Sequence, residues 1–65
     1  MEGIATIGFK DRESADNGTV VIRAQKGIVG LAISLEKDGD LEVFLAPSDC
    51  HLVMDALRGA LAKAI

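Results

Sequence analysis

Residues 19–35 read Thr-Val-Val-Ile-Arg-Ala-Gln-Lys-Gly-Ile-Val-Gly-Leu-Ala-Ile-Ser-Leu, two apolar, β-branched runs joined at Lys26-Gly27. Side chains alternate between the two faces of a strand, so Val20, Ile22 and Ala24 share one face, as do Val29, Leu31, Ile33 and Leu35. Directly opposed residues in an antiparallel pair must lie on the same face, which makes register testable by parity. A two-residue turn at Lys26-Gly27 sets Ala24 opposite Val29, Ile22 opposite Leu31 and Val20 opposite Ile33. Every inward residue then meets another.

The same test extends the sheet in both directions. Ala5, Ile7 and Phe9 alternate with Thr6 and Lys10, a strand period over Gly3 to Lys10. The polar segment Asp11 to Gly18 ends in the turn dipeptide Asn17-Gly18 and reads as a surface loop. After Leu35, a two-residue turn at Asp38-Gly39 would mix the faces. A three-residue loop, Lys37-Asp38-Gly39, pairs Leu35 with Leu41 and Ile33 with Val43, and puts Gly39 where a bulged turn needs positive φ. Phe44 is then expected opposite Ala32 on the outward face, with Val21 on the other side of Ala32.

From Pro47 the period changes. Pro47 suits the first helical position because its missing N–H would be unpaired there in any case. Asp49 in the first turn favours the helix dipole. Cys50, Val53, Met54, Leu57, Ala60, Leu61 and Ala64 recur at three- and four-residue steps, one stripe facing the sheet. The sequence therefore predicts an α+β fold: a four-stranded antiparallel sheet followed by one C-terminal amphipathic helix, ββββα, with residues 1–65 forming a single domain.

Sixty-five residues lie near the size at which an apolar core barely offsets conformational entropy, so a chain this short needs reinforcement. Cys50 is the only cysteine and His51 the only histidine. An intrachain disulfide is excluded, and a four-ligand zinc site would have to draw on carboxylates. Oligomerisation remains. The hydrophobic fraction of 49% is high for so small an interior, and the outward strip of Val21, Ile28, Ala32 and Phe44 lies on the face a single helix leaves bare. Gly59, near Ala56 and Ala60 and flanked by Leu52, makes a smooth helix surface suited to close contact across an interface. Val21, Ile28, Ala32, Phe44, Leu52 and Gly59 are the expected interface, with a homodimer the expected state and an unidentified protein the further partner.

Other chemistries find little support in the sequence. Seven basic residues against ten acidic ones give a net charge of −3 and are scattered, which argues against nucleic acid as a partner. The N-terminus lacks the pattern of a signal peptide, and no apolar run approaches the roughly 20 residues of a membrane span. A soluble, intracellular, cytoplasmic protein is expected. Ser48, His51 and Asp55 have the residue types of a hydrolase triad, but side chains of one helix do not converge on a substrate. Ser48 reads instead as a helix terminator, and His51, Asp55 and Arg58 as surface pairs. Cys50 in the first turn reads as a small core residue. Asp38-Gly39-Asp40 lacks the ligand spacing of a calcium loop. No catalytic, metal or cofactor site is expected, and no enzyme activity.

The ββββα order is similar to that of Pur-type domains and of a transcriptional-coactivator domain, which dimerise and bind single-stranded nucleic acid on their sheets. The resemblance is one of element order. Of the basic and stacking residues such a surface uses, only Arg23 and Phe44 have counterparts here. The leading expectation is a homo-oligomeric protein-interaction module that works as an accessory subunit, regulator or inhibitor. The alternatives are a nucleotide-like ligand held between subunits by Arg23 and Lys26, and single-stranded nucleic-acid binding.

Overall fold

The computed structural model describes residues 1–65. Strands β1 (Glu2–Lys10), β2 (Asn17–Gln25), β3 (Ile28–Leu35) and β4 (Gly39–Leu45) are followed by helix α1 (Pro47–Ala64). The strands form one antiparallel sheet in the order β1-β2-β3-β4, the arrangement that short connections favour. This is the expected ββββα layout. Gly27, with φ of 82°, closes the two-residue connection, and Ala24↔Val29, Ile22↔Leu31 and Val20↔Ile33 pair as parity requires.

The β3–β4 register differs from the expected one by two residues. Leu35 pairs with Gly39, Ile33 with Leu41, Leu31 with Val43 and Gly30 with Phe44, so the loop is Glu36-Lys37-Asp38. Parity is blind to a shift of two, because every side chain keeps its face. A side-chain bond between directly paired residues favours the observed register, and two further bonds hold the adjoining loop to the β1–β2 side. Ser34 donates its hydroxyl hydrogen to Asp40, Glu36 N donates to Asn17 O at 3.1 Å, and Lys37 N donates to Asp16 Oδ2 at 2.9 Å. Phe44 consequently stands opposite Gly30, and Glu42 takes the expected place opposite Ala32.

Asn17-Gly18 is not the turn. Asn17 and Gly18 belong to β2 and pair with Lys10 and Phe9. The loop ends at Asp16, two residues earlier than expected; within it Ala15 adopts φ of 62° and donates its N–H to Asp11 O at 2.9 Å, while Asp11 N donates to Asp16 O at 2.9 Å. Gly18 is needed in the strand instead of the turn: a Cβ there would lie 2.7 and 2.8 Å from the two ε carbons of Phe9. At the other end of β1 the register shifts between Gly3 and Ala5. Beyond it, Ala5, Ile7 and Phe9 oppose Ile22, Val20 and Gly18, which keeps the expected face.

Helix α1 has Pro47 in its opening positions, Asp49 in its first turn and Lys63 in its last. Ala46 is the N-cap and offers no side-chain bond; Ser48 lies within the helix and does not cap it. The helix sits on the inner face of the sheet, above the Val29–Leu45 end. Cys50, Val53, Met54 and Leu57 line an all-apolar cavity of about 350 Å³ with Ile22, Val29, Leu31 and Leu45. The backbone of α1 comes near β3 and β4 and reaches neither β1 nor β2. The stripe thus meets the sheet at one end and overhangs it.

No apolar side chain is buried by this contact. The three buried residues are Asp16, Gly18 and Gly30. A radius of gyration of 12.9 Å compares with about 10.7 Å for a compact chain of this length.

Candidate interaction surface

The outer face carries residues 21, 28, 32 and 44 as expected from parity, and the two-residue shift of β4 rearranges them. Val21 pairs with Ala32, and Phe44 lies across Gly30. A Cβ on Gly30 would meet Met1 Cε at 3.2 Å and Phe44 Cε1 at 3.6 Å, so Met1 reaches over β2 to share the hollow with Phe44. Val21, Ile28 and Ala32 are half-buried, while Phe44 is 59% exposed. The strip is narrow and bordered by charge: Arg23 Nη2 lies 3.7 Å from Glu42 Oε2 across β3. Lys26 stands exposed in the β2–β3 turn. Arg23, the expected anion contact, therefore already faces a carboxylate.

Leu52 and Gly59 lie elsewhere. At 100° per residue they project roughly opposite to Cys50, Leu57 and Leu61, on the back of the helix and away from the sheet. Leu52 is exposed, and nothing comes within 4 Å of a Cβ built on Gly59. The six expected interface residues thus fall on two surfaces on opposite sides of the molecule.

The inner face holds the larger apolar area, although the periodicity of the helix stripe predicts that the helix covers it. Ile7 is 50% exposed, Leu41 64%, Leu57 64% and Leu61 60%. From Ala5 to Phe9, Gly18 to Ala24, Val29 to Leu35 and Gly39 to Leu45, every inward position is uncharged. The signal was present in the arithmetic of coverage: one helix is about 10 Å wide, and a four-stranded sheet spans about 15 Å between its outer strands before their side chains are added.

The helix surface contributes no converging polar group. Arg58 Nη1 donates to Asp55 Oδ1 at 3.2 Å, both exposed, and His51 takes no part in that pair. Cys50 is half-buried against the cavity. No three His, Cys, Asp or Glu side chains come together as metal ligands, and no helix is long and apolar enough to cross a membrane.

No family model, no curated protein and no solved structure matches this chain.

Proposed function

We propose that the chain is a homo-oligomeric interaction module, serving as an accessory subunit, regulator or inhibitor that acts by occupying another macromolecule and performs no chemistry of its own. One observation carries this reading. A chain that is 49% hydrophobic leaves every apolar side chain at least partly exposed, so its stability is incomplete without contacts from outside the chain. The uncharged character of the exposed apolar positions fits the core of a permanent interface, where charged residues are depleted. The narrower outer strip around Phe44, rimmed by Arg23 and Glu42, has the mixed character of a surface that meets a second macromolecule.

Thermal unfolding at a series of chain concentrations tests the reading. Folding linked to association raises the Tm as concentration rises. A Tm constant over a hundredfold range would contradict it.

A further inference from the structure

We infer that the occupant of the inner face is a second copy of this chain, with the overhanging end of each helix seated on the bare end of the other chain's sheet. The inference rests on the homo-oligomer reading and assigns its surface. Two deficits coexist in one chain. The helix covers the Val29–Leu45 end of the sheet and leaves Ile7, Phe9, Ile33 and Leu41 open, while its own Leu57 and Leu61 project without a complete partner. A bare sheet end and a bare helix end are complementary. A two-fold arrangement satisfies both at once, because each contact is made twice.

The areas agree. The chain exposes 5187 Å², whereas a compact monomer of 6.8 kDa exposes about 4,000 Å². The surplus, about 1,200 Å² per chain, exceeds the roughly 800 Å² per partner of a standard stable interface and falls in the range of permanent homodimers. The outer strip is a poorer candidate for this role. Val21, Ile28 and Ala32 are already half-buried, and Met1 and Phe44 fill the hollow over Gly30 from within the chain. An anionic membrane surface is disfavoured by the net charge of −3 and by the absence of basic residues along the inner positions.

The two aromatic residues provide the test, since Phe9 lies on the inner face and Phe44 on the outer. Methyl-labelled and unlabelled native chains are mixed, and isotope-filtered NMR reads contacts between methyl groups of one chain and ring protons of another. Inter-chain contacts from leucine methyls to Phe9, with none to Phe44, are expected. An oligomer whose inter-chain contacts reach only Phe44 would overturn the inner-face assignment and leave self-association standing. A folded monomer at every concentration would overturn both. As a second readout, Leu61→Glu, on the exposed helix end, should weaken self-association at least about tenfold, as loss of a central interface contact does. Phe44→Glu should leave it unchanged, and the reverse ranking would overturn the proposal.

Discussion

Ile33 and Leu41 stand directly opposite each other across β3 and β4, yet remain 39% and 64% exposed. A cross-strand aliphatic pair on the face that carries the helix belongs in a core. Its exposure locates the unfinished part of this fold at the end of the sheet that the helix does not reach.

Truncation at this pair distinguishes an interface from a solvated patch. On the proposed homo-oligomer reading, Leu41→Ala is expected to cost about 2 kcal/mol or more per chain, as for a buried leucine. For a side chain left in water the cost stays within about 0.5 kcal/mol. Urea unfolding at a fixed, high chain concentration measures the difference.

Gly18→Ala is expected to destabilise the sheet by about 1–3 kcal/mol, because the added methyl takes the space held by the tip of the Phe9 ring. Phe9→Ala removes the clash, so the double variant should lose less than the two single variants combined. Additive losses in denaturant unfolding would show that the ring and the glycine act separately.

Asp16 is 5% exposed and accepts the Lys37 N–H at 2.9 Å, joining the β1–β2 loop to the β3–β4 loop. Asp16→Ala is expected to cost about 1–3 kcal/mol and to speed amide exchange at Lys37, since a hydrogen-bonded donor loses its acceptor. Asp16→Asn retains a carbonyl oxygen and should cost less. Equal losses in the two variants would contradict the bridging role.

Asp11 accepts from Ser14 N at 2.9 Å and from Ser14 Oγ at 2.8 Å, and these bonds hold its carboxyl below the ordinary carboxylate range. A depressed folded pKa contributes stability that is fully present above the unfolded value, near 4, and is lost as pH falls through the lower folded value. The Asp11 titration followed by carbon NMR should therefore have its midpoint below that of an ordinary aspartate. Ser14→Ala should move the midpoint upward, and an unchanged midpoint would contradict the assignment.

The elements and faces were legible in the sequence because periodicity records them directly. Period-two alternation identified four strands, the Pro47 stripe identified the helix, and the Lys26-Gly27 turn gave its register to the residue. The β4 register was not legible. A two-residue shift preserves every face, and the Ser34–Asp40 bond that favours the observed register leaves no mark on the apolar periodicity. Asn17-Gly18 misled for a related reason: a glycine favoured in turns was required in the strand by the ring of Phe9 opposite it. The extent of the open apolar surface was not legible. Alternation alone credited the helix with covering the inner face, and only its placement over β3 and β4 reveals how much stays open.

The mass of the native particle in solution, by light scattering coupled to size exclusion over a range of concentrations, tests self-association most directly. A particle of twice the 6.8 kDa chain mass, persisting to low micromolar concentration, is predicted. A folded particle of one chain mass throughout that range would contradict it.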